Sequence, residues 1–184
     1  YIFKEILKKN IKVIVVDDHS TDNSHKFLQN LDIILFRNKK RLGYEKSLNC
    51  AFKIAKKKGF KYLVTFDADG QQNIRDIDRI FKKLVIDKNL LVIGERVKKQ
   101  RIFEYLFSIY TNKFFKIDDP LSGLKAINLK NIRSKINNSP FNHSGTYILL
   151  QCIIKNLKHD TIKINMNKRN GKSRYGNFFS SNIK

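Results

Sequence analysis

Acidic residues are scarce in this chain. Asp and Glu together number 16 against 38 Lys and Arg in 184 residues, for a formal charge of +22. That excess leaves three readings open: a nucleic-acid partner, an anionic lipid surface, or a lysine-rich background with no particular partner. The lysines are spread in short groups (Lys8 and Lys9, Lys39 and Lys40, Lys56 to Lys58, Lys82 and Lys83, Lys98 and Lys99) and build no long basic block. A general bias fits them best and a lipid-facing role second, and a nucleic-acid partner is not expected. Cysteine is rarer still. Cys50 and Cys152 stand alone inside apolar helical patterns, which argues against a disulfide framework or zinc cluster and for buried free thiols in a reducing compartment. Long apolar runs are missing too: none approaches the roughly 20 residues that cross a bilayer, and no signal peptide is visible. The only methionine is Met166 and the first residue is Tyr1, so the chain is expected to lack its natural start.

What is present suits one domain with a real core. Short apolar runs alternate with helical patterns. Strands are expected at 12–16 (KVIVV), 33–36, 62–66 and 90–94, and helices at 24–31, 45–57 and 74–86. Ser20, Thr21 and Asp22 can cap the first of these helices, and Gly59 stops the second. This alternation predicts an α/β fold, a mostly parallel sheet with helices on both faces. After residue 94 the pattern loosens. A helix is expected at 102–115, a turn leading into a strand at 118–128, a buried helix at 147–157 and a strand at 161–166, then a basic loop at 167–177. No repeat or linker divides the chain.

In such a sheet, ligands collect outside the carboxyl ends of the strands. Asp17, Asp18, Asp67 and Asp69 all fall there. The pair in "LVTFDADGQQNIRDI" (63–77) is the sharpest signal in a chain so poor in acids. An Asp-x-Asp alone is as often a turn former as a site. Here Gly70 lets the backbone approach a ligand and Gln71 adds a neutral oxygen, and oxygen-only ligation suits Mg²⁺ or Mn²⁺ completed by phosphate oxygens.

Four motifs occur in order: "VIVVDDHSTDNS" (13–24), "FDADGQQNIRDI" (66–77), "DPLSGLKAI" (119–127) and "NKRNGKSRYGN" (167–177). Together they resemble family 2 glycosyltransferases of the GT-A fold, in the branch that acts on dolichyl and polyprenyl phosphates. The resemblance runs over about residues 11 to 177, and its last two motifs point most narrowly to that branch. It implies a Rossmann-like GT-A domain over 1–184, with a nucleotide-sugar-binding half (1–94) and an acceptor-binding half (95–184), lacking the family's first strand. It implies that Val16 and Asp18 contact base and ribose, that Asp67 and Ala68 line the nucleotide-sugar pocket, and that Asp69 and Gln71, with Asp67, hold the metal. Arg96 matches an arginine facing donor or acceptor phosphates. Arg169 and Arg174 would contact diphosphate or acceptor phosphate, a task suited to guanidinium forks. His19 stands where the family has glycine, and histidine tolerates the left-handed backbone.

One absence bears on the acceptor. No Asp or Glu lies between Asp119 and Asp160, and Gln151 stands where relatives acting on sugar hydroxyls carry a carboxylate base. A hydroxyl needs such a base; a lipid phosphate is already ionised and needs orientation and charge stabilisation. Asp119 and His143 remain the alternative bases. The aromatic side of helix 102–115 (Phe103, Leu106, Phe107, Tyr110, Phe114) reads by default as core packing. A face beside the membrane is the reading the resemblance adds. The expectation is therefore an inverting hexosyltransferase, Mg²⁺- or Mn²⁺-dependent. It would use a nucleotide diphosphate sugar and a polyprenyl phosphate, and lie peripherally at the cytoplasmic face of the cell membrane. Transfer to a glycan or lipopolysaccharide hydroxyl, a non-catalytic remnant of the fold, and a basic nucleic-acid-binding module are the rivals.

Overall fold

A computed structural model describes residues 2–99, 102–135 and 145–167. The chain runs α1 (Ile2–Leu7), β1 (Ile14–Asp17), α2 (Ser24–Gln29), β2 (Ile34–Arg37), α3 (Tyr44–Lys57), β3 (Tyr62–Thr65), α4 (Arg75–Ile86) and β4 (Leu91–Arg96). It continues with α5 (Ile102–Phe115), β5 (Lys125–Asn128), α6 (Leu129–Lys135), α7 (Gly145–Ile154) and β6 (His159–Ile164). Every strand and helix named from the sequence is present. The short helices α1 and α6 are additions, too brief to show a periodic stripe. At α2 the cap residue is Asn23 without a side-chain cap bond; of the three expected cappers, Asp22 contributes, accepting the Ser24 amide at 2.9 Å. Gly59 ends α3 at φ +76°, as expected.

β1 and β2 pair in parallel, and β3-β5-β4-β6 form a second ladder. Within the latter β4 and β6 are parallel, whereas β5 runs antiparallel to both β3 and β4. The direction of β5 follows from where the chain returns. After β4 and α5 it comes back to the carboxyl end of β4, where Asp118 N–H donates to Glu95 (2.5 Å) and Gly94 N–H donates to Leu124 O (2.9 Å). A strand that starts where its neighbour ends must run the other way.

Both faces of this ladder are covered. Leu91, Ile93 and Ile127 pack with Phe52 and Ala55 of α3 and Ile148, Leu149 and Cys152 of α7. The alternate residues Val92 and Ala126 pack with Ile80 and Leu84 of α4. This is the period-two alternation of a sheet buried on both sides. Cys152 lies in that core, and burial pushes its thiol up to about 12. Cys50, expected to be buried, is only half-buried on α3; both are free thiols.

With both faces taken, α5 is left outside. Its buried residues are Ser108 and Thr111, whose hydroxyls return to Tyr105 O (2.8 Å) and Phe107 O (3.1 Å). Phe103, Leu106, Phe107, Tyr110 and Phe114 are all exposed, Phe103 at 63%. Core packing of that aromatic side is therefore corrected. Among the described residues no helix is long and apolar enough to cross a membrane.

Candidate active site

The carboxyl ends of β1, β3 and β4 converge on the expected residues. β1 ends in Asp17 and Asp18. Asp18 accepts the backbone amides of Leu42 and Gly43 and the Asn38 side-chain amide, each at 2.8 Å. Burial acts to raise its pKa, but these donors outweigh it and hold the carboxyl at about 2. His19 takes φ +60°, the left-handed backbone that a glycine would otherwise supply. Val16 is half-buried in β1, opposite Phe36.

Asp18 thus staples β1 to the loop that starts α3, and a pH prediction follows. Its folded pKa lies below its unfolded value, so its contribution is complete above about pH 4 and disappears as pH falls towards 2. Thermal melts from pH 6 to pH 2 should show that acid-sensitive fraction in the native protein and its absence in Asp18→Asn.

Beyond β3 the chain turns through Asp67, Ala68, Asp69 and Gly70, the last at φ +83°. Gln72 clasps Asp67: its amide nitrogen donates to Asp67 Oδ2 (2.9 Å) while its oxygen accepts the Asp67 N–H (3.0 Å). Tyr44 at the head of α3 donates to Asp67 Oδ1 at 3.4 Å. Burial, then the Asp69 charge, push the Asp67 carboxyl up, with Lys125 opposing. Asp69 Oδ1 accepts the Gln71 amide (3.1 Å), and the buried Gln71 is held through its carbonyl by Asn167 N–H (2.7 Å). Ala68 is exposed on the turn. A cleft of about 920 Å³ opens here, lined by Ile2, Glu5, Lys9, Asp69, Asn73 and Asn167 among others.

Two neighbouring carboxylates whose like charges repel each other are a donor set that suits a hard divalent cation that also binds phosphate. The residues present fit Mg²⁺ or Mn²⁺. Among the described residues no cluster of three His, Cys, Asp or Glu forms an all-protein cage.

Arg96, the last residue of β4, is paired. Its Nε and Nη2 donate to the two oxygens of buried Asp119 (2.6 and 2.9 Å), its backbone N–H donates to the same carboxylate (3.0 Å), and Glu104 lies 3.4 Å away. Asp119 is itself fixed by its neighbour. Asp118 pairs with Lys163 (2.6 Å) and Lys99 (2.9 Å), and buried Glu95 pairs with Lys163 (3.0 Å). Asp119, a candidate base from sequence, thus has both oxygens engaged by Arg96. Gln151 is half-buried on α7. Arg169, Arg174 and His143 lie outside the described residues.

Sequence reasoning missed Gln72, Tyr44, Gly123 and Lys125. A Cβ on Gly123 would overlap the Asp67 carboxylate, so glycine there makes room for the acid. Nothing in the linear pattern separates Gln72 from Gln71, or Lys125 from the other lysines.

The profile of glycosyl transferase family 2 matches residues 2–157. The chain belongs to this family. Among curated relatives, an uncharacterized protein of Methanocaldococcus jannaschii is 26% identical over 163 residues, 80% of this chain and 67% of that protein. The UDP-N-acetylglucosamine–dolichyl-phosphate N-acetylglucosaminyltransferase of Methanococcus voltae is 28% identical over 109 residues, 50% of this glycosyltransferase and 43% of the relative. The fold is that of glucosyl-3-phosphoglycerate synthase from Mycobacterium tuberculosis in complex with phosphoglyceric acid, at a TM-score of 0.66 and 13% identity over 88% of this chain and 62% of that one. The same enzyme solved with Mn²⁺, UDP-glucose and phosphoglyceric acid gives a TM-score of 0.65 at 12% identity, covering 87% and 61%. The glycosyltransferase described here therefore spans about two thirds or less of the length of these proteins. The α/β expectation of a GT-A domain holds, with β5 antiparallel within it.

Proposed function

We propose that this glycosyltransferase moves a hexose from a nucleotide diphosphate sugar to a polyprenyl phosphate, with inversion, at a membrane surface. The donor would occupy the half ending at residue 94 and the acceptor the half that follows. Asp67, Asp69 and Gln71 would hold Mg²⁺ or Mn²⁺, which when bound neutralises charge developing on the departing diphosphate. Asp18 and Val16 would flank the nucleoside. Gln72 and Tyr44 orient Asp67, and the Gln71 amide orients Asp69, so the carboxylates need no reorganisation to receive a phosphate-bound cation. Arg169 and Arg174 would bind diphosphate or acceptor phosphate.

The observation that carries this reading is the engagement of Asp119. The carboxylate nearest Arg96 has both oxygens in guanidinium bonds, which disfavours it as a base for a hydroxyl. An ionised phosphate attacking the anomeric carbon needs no base. The outward aromatic side of α5, with Lys113 beside Phe114 (5.7 Å from the ring centroid), supports an acceptor drawn from an interface where apolar rings and cations meet anionic lipid. The dolichyl-phosphate activity of the Methanococcus voltae relative supports the same acceptor class, and the UDP-glucose and Mn²⁺ of the mycobacterial complex support the donor class and metal.

The test is partition of label. A panel of radiolabelled UDP- and GDP-sugars is incubated with Mn²⁺, the protein and polyprenyl-phosphate liposomes. Label from one donor should move into the organic phase as a glycolipid released by mild acid. Label passing only to a water-soluble glycan or lipopolysaccharide would replace the lipid-phosphate acceptor by a hydroxyl one.

A further inference from the structure

The turn from Asp119 to Gly123 touches both halves of the candidate site. At one end Asp119 grips Arg96; at the other Gly123 lies against the carboxylate of Asp67. A buried cation holds this turn. Lys125 heads β5, opposite Thr65 of β3 and Ile93 of β4, and is only 5% exposed. Its Nζ donates to the Ser122 carbonyl. The Thr65 hydroxyl donates to the next carbonyl, Gly123 O (2.6 Å), and accepts the Lys125 N–H (3.0 Å). The stem of Lys125 fills the space left by Gly145, where a Cβ would sit 2.5 Å from its Cδ.

An ammonium is rarely enclosed to this degree, because dehydrating it costs several kcal/mol unless opposite charge surrounds it. The neighbouring acids are Asp119, Asp67 and, in the first turn of α3, Glu45, against Arg96 as a like charge. A methionine would fill the same volume without that cost, so packing alone does not account for a lysine here. We propose that Lys125 is a positioning residue: its ammonium locks the 119–123 turn and so sets Arg96 and the Asp67 carboxylate relative to one another. This rests on reading those two residues as part of the transfer site.

The Arg96 Nε–H, bonded to Asp119 at 2.6 Å, is observable by nitrogen-edited NMR of the full chain and should exchange slowly with solvent. In Lys125→Met its exchange should accelerate at least about tenfold relative to the core amides of Val92 and Ile127, and Lys125→Arg should return it to within about threefold. A packing role instead predicts equal acceleration of all three groups in proportion to lost stability. That result, or no change, overturns the proposal. Should Lys125→Met fail to fold, Gly145→Ala displaces the lysine stem with its charge intact and is judged by the same ratio. The readout requires no nucleotide sugar, so failure to bind any donor would count against the proposed transfer and not against this assignment.

Discussion

Asp69→Ala should lose metal-dependent donor binding altogether. Calorimetric titration of UDP- and GDP-sugars in Mn²⁺ should give heat with the native chain for one nucleotide and none with the variant. Glycosyl transfer should fall on the order of 10³-fold, the several kcal/mol that a divalent cation supplies to a departing diphosphate. The thermal midpoint should hardly move, because Asp69 sits on a half-exposed turn and its charge adjoins that of Asp67. Loss of binding with an intact fold separates a ligand from a turn former. Full binding by the variant would remove Asp69 from the site and, with it, the metal assignment proposed above.

Asp119→Ala should be among the most destabilising single changes in the molecule. Asp119 is 2% exposed and receives three hydrogen bonds from Arg96. Removing it leaves a guanidinium whose side chain is only 12% exposed, with Glu104 at 3.4 Å and the charge of Asp67 as its remaining acids. Breaking a buried pair on one side costs about 3–5 kcal/mol. For a domain of this size that lowers the unfolding midpoint by on the order of 10 °C. The double variant Arg96→Met, Asp119→Leu should recover part of that loss, since the guanidinium is no longer left without its carboxylate, while Glu104 and Lys125 each lose one opposite charge. Melts of the two single variants and the double decide the point. If Asp119→Ala melts with the native chain, the pair is solvated in solution and Asp119 is free to act as a base, which would favour a hydroxyl acceptor.

Several parts of the site were legible because local chemistry suffices for them. Asp18, Asp67 and Asp69 could be placed at strand ends because each follows a β-branched or aromatic run in a chain with few acids, and strand ends are where such a sheet keeps its ligands. His19, expected only to tolerate the left-handed backbone where the family has glycine, does adopt it. Arg96 was located, but its partner was not. Asp119 lies 23 residues further along, and no local pattern announces a pairing across that distance. Asp119 beside Pro120 looks like a turn residue or a base, and only the fold shows both of its oxygens spent on a guanidinium.

By itself the sequence determined the order of the strands and of all helices but α1 and α6, the carboxylate pair at the end of β3, and membership in glycosyl transferase family 2, all properties of short segments with strong patterns. Tertiary structure alone decided three further matters. It turned α5 so that Ser108 and Thr111 face inward and the aromatics face solvent; a helix apolar nearly all round has no preferred side until the sheet faces are filled by others. It reversed β5, because the returning chain re-enters at the carboxyl end of β4. And it singled out Lys125 among 38 basic residues, since burial of a charge depends on what surrounds it in space and is invisible to its neighbours in sequence.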